Sequence, residues 1–206
     1  MGTPKAVVAQ PGGGTLLEHS ISSLREAGCA PVVVVVGAEA NRASTFAGAA
    51  DLVVVAGDWA RGQSASLRTG LEALQGTPAA SAAVLLVDLP DVAADVVRRV
   101  VLAAGAPRAS LARAAYDGIP GHPVVIGRDH WAGVTTTAQG DHGARDYLAS
   151  HVHALVECGD LATGRDVDTP ADLGAVVDEA VDEAVDKAVR PAGEAPRTPM
   201  FRPDPT

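Results

Sequence analysis

The sequence predicts an α/β fold, with a mostly parallel, twisted sheet flanked by helices. Three apolar segments, Val32–Val36, Asp51–Val55 and Ala82–Val87, have the length of strands and lack the polar alternation of a half-solvated strand. Segments with helical periodicity separate them, and this alternation is typical of parallel sheets. Aromatic residues make up only 3% of the chain while 47% is hydrophobic, so Val, Ala and Leu must build the core.

The first predicted helix has the strongest local signals. It runs from Thr15 to about Ala27, and Thr15 and Glu18 form a capping-box pattern at its beginning. Gly28 then ends the helix, because glycine readily adopts the left-handed conformation of a helix end. Further helices are predicted at Glu39–Ala47, Ser64–Leu74, Val92–Ala104 and Gly143–Ser150, and a last one from Thr169 to about Val189.

A different pattern follows the fourth predicted helix. Segments Ser110–Ala115 and Pro123–Ile126 flank the turn residues Asp117 and Gly118, which are typical of a β-hairpin. We therefore expect a small antiparallel excursion from the parallel sheet. Val152–Glu157 is predicted to be an edge strand.

Length and charge limit the classes of function. The chain has 206 residues and a formal net charge of −9, which argues against a broad nucleic-acid surface built from clustered Lys and Arg. A single nucleotide needs fewer positive groups and is not excluded. We expect one domain at residues 1–189, followed by a Pro-rich, disordered tail at 190–206. No apolar run approaches the roughly 20 residues of a membrane-spanning helix.

The cysteines and the first residues indicate the compartment. Cys29 and Cys158 are isolated, so they form no metal-type pair and predict no disulfide framework. The first residues lack the positive segment and apolar segment of a secretory signal. A reducing cytoplasm is therefore the expected compartment.

Two places in this predicted fold have the chemistry of a ligand site. Asp88 follows the strand Ala82–Val87, and ligands of open α/β sheets bind at the carboxyl ends of the strands. Its carboxylate is either a ligand for a divalent cation or a cap of the next helix. Ser64 begins a helix whose free amides suit an anion, or it is a helix cap and nothing more. The residues alone leave both alternatives open.

Short motifs rich in glycine and acidic residues are spread along residues 1–173. They are Met1-Gly2-Thr3-Pro4-Lys5, Gly13-Gly14-Thr15-Leu16-Leu17-Glu18-His19, Gly62-Gln63-Ser64-Ala65-Ser66-Leu67, Asp88-Leu89-Pro90, Gly121-His122-Pro123, Gly140-Asp141-His142-Gly143-Ala144-Arg145 and Asp166-Val167-Asp168-Thr169-Pro170. In type, order and spacing they resemble the molybdenum-cofactor-type nucleotidyltransferases, a branch of the Rossmann-like NTP-transferase superfamily. No single motif is decisive, and their joint order carries the resemblance.

The resemblance implies a Mg²⁺-dependent reaction and a role for each matched residue. Lys5, Asp88 and Asp168 would be catalytic, with Lys5 on the nucleotide's phosphates and the two carboxylates holding Mg²⁺. The residues implied to bind the nucleotide are Gly2, Lys5, Gly62, Ser64, Ser66, Leu89 and Pro90. Those implied to bind the acceptor are Gly121, His122, Pro123, Asp141 and Arg145.

The reaction implied by the resemblance is nucleotidyl transfer. A phosphate of an acceptor such as molybdopterin attacks the α-phosphate of CTP or GTP, and pyrophosphate leaves. An acceptor phosphate is already ionised near neutral pH, so no strong general base is required. The Gly121–Gly127 segment is more similar to the cytidylyl branch and favours CTP. A cofactor-dependent enzyme is a possible partner, and a sugar-phosphate or methylerythritol-phosphate cytidylyltransferase is an alternative.

One part of the family pattern has no counterpart in this sequence. In the family, a strand and a glycine-rich loop of the form Leu-Ala-Ala-Gly-x-Ser-x-Arg precede the segment matched by Met1–Lys5. The sheet is therefore expected to have a gap or an exposed edge. Either the start codon was assigned too far downstream, or the chain is a truncated, catalytically inactive relative that binds a cofactor or chaperones a cofactor-dependent enzyme.

Overall fold

The computed structural model describes residues 4–10, 13–105, 107–168 and 172–173. Within these ranges helices and strands alternate as the sequence predicts. The helices are α1 (Leu16–Glu26), α2 (Ala40–Ser44), α3 (Gln63–Gln75), α4 (Ala94–Ala103), α5 (Trp131–Thr137) and α6 (Arg145–Ala149). The strands are β1 (Val33–Val36), β2 (Leu52–Val55), β3 (Ser81–Val84), β4 (Leu111–Tyr116), β5 (Ile119–Gly127) and β6 (Ala154–Glu157).

Two further expectations concern the C-terminal segments and membrane-spanning helices. The predicted last helix at 169–189 and the predicted tail at 190–206 lie outside the described residues, apart from 172–173. Within the described ranges, no helix is both long enough and apolar enough to cross a membrane.

The described strands form two separate sheets. β1 and β2 pair in parallel, from Val33 opposite Leu52 to Val36 opposite Val55. The four-stranded sheet has the order β3-β5-β4-β6. In it, β5 pairs antiparallel with β3 and β4, and the edge strand β6 lies parallel to β4. The α/β class, the hairpin and the edge strand are thus confirmed, but β3 has an antiparallel partner and not the parallel one expected.

The predicted strand before Asp88 is shorter than its apolar run. β3 ends at Val84 and not at Val87, and its last pair joins Val84 to Val124 on β5. The preceding residue of β5 is Pro123, which has no N–H group to continue the ladder. The chain therefore leaves the sheet after Val84, and Asp88 lies in the irregular segment beyond the strand.

A groove of about 650 Å³ lies between the two sheets. In the described part of the chain β1 and β3 are not paired with one another, and both line the groove. Helix α1 contributes Leu17 and Ile21 to the lining, and helix α3 contributes Leu67 and Leu71. The gap expected in the sheet is therefore found between β1 and β3.

Helices cover both faces of the four-stranded sheet. On one face Val96 and Val100 of α4 pack against Ala112 of β4. On the other face Ile126 of β5 packs against Trp131 of α5. Because successive side chains of a strand point to opposite faces, the same strands serve both parts of the core.

Helix α5 has only weak signals in the sequence and was not predicted. Its segment, Trp-Ala-Gly-Val-Thr-Thr-Thr, contains glycine and three threonines, which are poor helix formers. Tertiary packing compensates for this weakness. Trp131 is 1% exposed, and its indole N–H donates to the Ile126 carbonyl at 2.9 Å.

The capping box of α1 makes a testable contribution to stability. Thr15 Oγ1 accepts a hydrogen bond from the Glu18 N–H at 3.3 Å, and Glu18 Oε2 accepts one from the Thr15 N–H at 2.7 Å. Thr15→Ala removes the first bond at a residue that is only 6% exposed. We expect the free energy of unfolding to fall by about 1–2 kcal/mol, as measured by urea denaturation.

The control for this experiment is Thr136→Ala, since Thr136 is exposed and its hydroxyl bonds only to the Ala132 carbonyl of its own helix. This variant should change the free energy of unfolding by less than about 0.5 kcal/mol. Equal losses in the two variants would contradict the assigned role of the cap.

Candidate functional site

Lys5 joins two carboxylates that are far apart in the sequence. Its ammonium donates to Asp88 Oδ2 at 2.8 Å and to Asp168 Oδ1 at 2.6 Å. The Asp88 side chain is 17% exposed and the Asp168 side chain 70%, so this cluster extends from the edge of the core to the surface. The structure thus brings together the three residues that the sequence analysis expects to be catalytic.

Backbone contacts explain how these three residues meet. Lys5 begins a single 3₁₀ turn before α1. The Val167 N–H donates to the Asp88 carbonyl at 2.9 Å, and the buried Val167 side chain packs against Leu16. Asp168 is the next residue of the chain and is thereby held beside Asp88.

The ammonium of Lys5 is held in its charged form. Burial alone would lower the pKa of Lys5, but the hydrogen bonds to Asp168 and Asp88 outweigh burial and raise this pKa above its ordinary value. Two of the three N–H groups of the ammonium are used by these carboxylates, which leaves one for a further acceptor. The cluster therefore presents one positive donor between two negative groups.

The two carboxylates suit a hard divalent cation. Asp88 Oδ1 is buried without a hydrogen-bond partner among the described residues, so this oxygen is available to a cation. Mg²⁺ in nucleotide sites commonly uses one or two protein carboxylates and completes its shell with water and phosphate oxygens. The described part of the chain holds no group of three or more His, Cys, Asp or Glu side chains that could bind a metal. The donors therefore fit a metal shared with substrate phosphates.

The loop at Gly62 contacts the segment before α6, so two distant motifs form one surface. Asp141 Oδ1 accepts from the Gln63 N–H at 3.2 Å, at the beginning of α3. Ser64 is 1% exposed, and its hydroxyl accepts from the Gly143 N–H at 3.2 Å. Asp141 thus supplies a negative charge at the helix N-terminus where the sequence suggested a ligand anion.

Gly121 and His122 lie on β5 against the ring of Tyr116. The Tyr116 hydroxyl donates to the His122 carbonyl at 2.6 Å. A Cβ on Gly121 would lie 2.7 Å from a carbon of the Tyr116 ring, so a larger residue does not fit there. Burial, followed by the positive charge of Arg113, lowers the pKa of His122 to about 4, and its imidazole is neutral at neutral pH. His122 and Arg145 both line the groove.

The remaining residues that were expected to bind the nucleotide or the acceptor lie partly in the groove and partly in the core. Ser66 lines the groove. Leu89 is 5% exposed and packs in the core, so only its backbone is available to a ligand. Pro90 is half-buried beside it, and Pro123 is a buried residue of β5. Gly2 lies outside the described residues.

Sequence reasoning missed Arg113, which lies on β4 and lines the groove together with His122 and Arg145. A signal was present, because Arg113 is the single charged residue in the strand segment Leu-Ala-Arg-Ala-Ala-Tyr. Charged residues are rarely placed in such strands unless they are paired or used. Arg113 therefore belongs to the candidate site.

The α/β fold and the cluster of Lys5, Asp88 and Asp168 define a domain of the NTP-transferase type. Residues 1–155 match the family model of the MobA-like NTP transferase domain, and the chain belongs to this family of nucleotidyltransferases. A curated relative, the nicotine blue oxidoreductase of Paenarthrobacter nicotinovorans, is 33% identical over 176 residues, which are 81% of this chain and 84% of that protein.

Solved structures share the fold. The Rv0371c protein of Mycobacterium tuberculosis H37Rv has a TM-score of 0.68 and 27% identity, with 86% of this chain and 91% of that chain covered. Its complex with manganese has a TM-score of 0.66 and 23% identity, with 85% and 91% covered. The 2-C-methyl-D-erythritol 4-phosphate cytidylyltransferase from Thermus thermophilus has a TM-score of 0.61 and 22% identity, with 86% and 94% covered.

The contact at Gly62 can be tested by adding one methyl group. Gly62 has a φ of +102°, a conformation that L-residues rarely adopt. A Cβ there would lie 2.5 Å from Asp141 Oδ1. We expect Gly62→Ala to push the two segments apart and to lower the free energy of unfolding by roughly 1–3 kcal/mol, as measured by urea denaturation.

Gly57→Ala is the matched control for the same substitution. A Cβ on Gly57 would meet no atom within 4 Å, and its φ lies outside the left-handed region. Its free energy of unfolding should stay close to that of the wild type. If Gly62→Ala behaved like this control, the close contact between the two segments would be refuted.

Proposed function

We propose that this enzyme transfers a nucleoside monophosphate, CMP in preference to GMP, from a nucleoside triphosphate to a phosphorylated acceptor such as molybdopterin, with release of pyrophosphate. The observation that carries the proposal is the Lys5 ammonium held between the carboxylates of Asp88 and Asp168. Membership of the MobA-like NTP transferase family supports the transfer of a nucleotidyl group.

In this reaction a charged side chain of the protein would stabilise the phosphates of the triphosphate. A phosphate oxygen of the acceptor forms a bond to the α-phosphorus, the bond from that phosphorus to the bridging oxygen breaks, and pyrophosphate leaves with the electron pair. The remaining N–H group of Lys5 would donate to a phosphate oxygen and stabilise the negative charge on it. The acceptor phosphate is ionised at neutral pH, so the neutral His122 is not needed as a general base.

Asp88 and Asp168 are the residues that would hold Mg²⁺. When bound, this ion would offset the charge of the phosphate oxygens and help to align them. The buried and unpaired Oδ1 of Asp88 supports the assignment. The manganese complex of the mycobacterial neighbour is in line with a divalent cation on this fold.

The preference for CTP and molybdopterin rests on sequence motifs. The segment from Gly121 to Gly127 resembles that of the cytidylyl branch, and a cytidylyltransferase from Thermus thermophilus shares the fold. A cofactor-dependent enzyme that receives the product would be the protein partner. The free thiols of Cys29 and Cys158 favour a reducing cytoplasm as the compartment.

A second candidate function is a redox reaction, which the 33% identity to nicotine blue oxidoreductase favours. The electron donor would be a reduced nicotinamide dinucleotide, whose pyrophosphate has the same chemistry as the phosphates of a nucleoside triphosphate. Hydride would pass from the nicotinamide ring to nicotine blue or a compound of its class, and a proton would come from water.

Replacing Asp88 by Asn keeps the size of the side chain and removes its charge. We expect Asp88→Asn to lower kcat/KM for pyrophosphate release from CTP and molybdopterin by roughly a hundredfold or more, because a metal-binding carboxylate is lost. The measurement is a coupled pyrophosphate assay over a range of Mg²⁺ concentrations. Asp95→Asn is the control, since Asp95 is 73% exposed and pairs with Arg98 on the surface of α4. Unchanged turnover in Asp88→Asn would remove Asp88 from the metal site.

The two candidate functions require different co-substrates. Wild-type protein should release pyrophosphate from CTP when molybdopterin is present, and it should not oxidise NADH or NADPH in the presence of nicotine blue. Oxidation of either dinucleotide without pyrophosphate release would replace the first candidate by the second. The two assays share one protein preparation, so a folding defect cannot produce the difference.

A further inference from the structure

Trp59 is an exposed aromatic side chain in a protein that has few aromatic residues. Aromatic residues make up only 3% of the sequence, and Trp59 is 47% exposed. Trp131 and Tyr116, by contrast, are 1% and 6% exposed, and the ring of Tyr147 stacks on His151. Within the described ranges, the indole of Trp59 stacks neither on another ring nor on a cationic group. It therefore leaves a large apolar surface open to a partner.

A glycine at the end of β1 supports the base of this ring. A Cβ on Gly37 would lie 2.7 Å from Trp59 Cβ and 2.9 Å from Trp59 Cγ, so Trp59 packs directly on the backbone of Gly37. The Trp59 N–H donates to the Ala56 carbonyl at 3.2 Å, and the Gly62 N–H donates to the Trp59 carbonyl at 3.0 Å. The indole is thus held in place before a ligand binds, which lowers the entropy cost of binding.

The indole and the Lys5 ammonium lie at the same end of β1. Gly37 comes directly after Val36, the last residue of that strand. Val36 belongs to the same buried apolar cluster as Val7, which ends the 3₁₀ turn that Lys5 begins. Ligands of open α/β sheets bind at the carboxyl ends of the strands. A triphosphate at Lys5 and a planar ring at Trp59 would therefore be bound along one edge of the protein.

The position of Trp59 favours the nucleotide over the acceptor as the source of this planar ring. Gly62 and Ser64, whose motif implies nucleotide binding, belong to the segment that follows Trp59. Trp59 itself follows β2 of the two-stranded sheet, whereas the expected acceptor residues Gly121 and His122 lie on β5 of the other sheet. Nucleobases are planar and stack on aromatic side chains through their ring faces.

We propose that Trp59 is a binding residue for the nucleoside triphosphate, whose nucleobase stacks on the indole while its phosphates contact Lys5. The inference rests on the proposed nucleotidyl transfer, which requires a nucleoside triphosphate. Because every nucleobase has a ring face, this contact would add affinity and would not by itself distinguish CTP from GTP. It adds a residue outside the matched motifs to the candidate site.

The first test compares CTP with tripolyphosphate, which has a similar charge and no ring, at one Mg²⁺ concentration. Calorimetric titration should show that Trp59→Ala weakens CTP binding about 10-fold or more, as expected for the loss of one stacked base, and leaves the affinity for tripolyphosphate unchanged. Trp59→Phe should bind CTP with intermediate affinity, since it keeps a smaller ring. Leu102→Ala is the control, because Leu102 is 75% exposed on α4 and neither affinity should change.

Two results of this titration would overturn the proposal. Wild-type affinity for CTP in Trp59→Ala would show that no base stacks on the indole. Equal losses of affinity for CTP and for tripolyphosphate would show that the substitution disturbs the phosphate site and removes no contact with the base.

Tryptophan fluorescence provides a second readout, because stacking on a base quenches the emission of indole. The protein has two tryptophans, and Trp131 is 1% exposed, so a change on binding reports on Trp59. CTP should quench the emission of the wild type and leave that of Trp59→Phe unchanged, while tripolyphosphate should quench neither. Unchanged emission of the wild type at saturating CTP would overturn the proposal.

A kinetic test includes both substrates, since Asp141, which its motif assigns to the acceptor, accepts from the Gln63 N–H beside Gly62. In steady-state pyrophosphate release, Trp59→Ala should raise the KM for CTP about 10-fold or more and leave the KM for molybdopterin unchanged. A raised KM for molybdopterin alone would assign the indole to a ring of the acceptor and overturn the proposal.

These tests also separate the proposal from the proposed function. If CTP binds to the wild type through Trp59 and no pyrophosphate is released, the nucleotidyl transfer fails and the stacking site stands. If the wild type releases pyrophosphate and Trp59→Ala keeps the CTP affinity and the CTP KM of the wild type, the stacking site fails and the transfer stands.

Discussion

The ammonium of Lys5 is the interaction on which the candidate site depends. It lies between carboxylates that come from the segment after β3 and from the end of the described chain, at 2.8 and 2.6 Å. Without this positive charge, the carboxylates of Asp88 and Asp168 would face each other as like charges and repel one another. One N–H group of the Lys5 ammonium remains available to a phosphate oxygen. The positive group that would contact a triphosphate is therefore in place before the triphosphate binds.

Local signals were sufficient to predict local structure. Thr15 and Glu18 form the predicted capping box, and Asp117 and Gly118 form a hairpin turn with φ of +51° and +77°. The end of β3 was not predictable in the same way, because the apolar run continues to Val87. β3 ends at Val84 because its partner strand β5, which is distant in sequence, has Pro123 at the next position. Likewise, Trp-Ala-Gly-Val-Thr-Thr-Thr forms α5 only because Trp131 is buried against the sheet.

The same difference between local and distant information applies to the site. Motifs of a known family gave Lys5, Asp88 and Asp168, and the structure shows that these three side chains meet. Ser64 and Asp141 were each interpreted as facing a ligand, yet much of their hydrogen bonding joins their two segments to one another. Such a contact cannot be inferred from either motif alone. Arg113 was missed for a related reason, since its surroundings are defined by β5 and α6.

The division of the described strands into two sheets has a consequence for local unfolding. β1 pairs only with β2 among the described strands, through residues 33–36 and 52–55, whereas β3 pairs with residues 124–127. Since no ladder joins β1 to β3 within the described ranges, we expect the two sheets to exchange their amide protons as separate cooperative units that are connected through helices. A ligand that fills the groove would contact both units at once. Binding of such a ligand would couple the local opening of the two sheets. The amide protons of both sheets would then exchange as those of one cooperative unit.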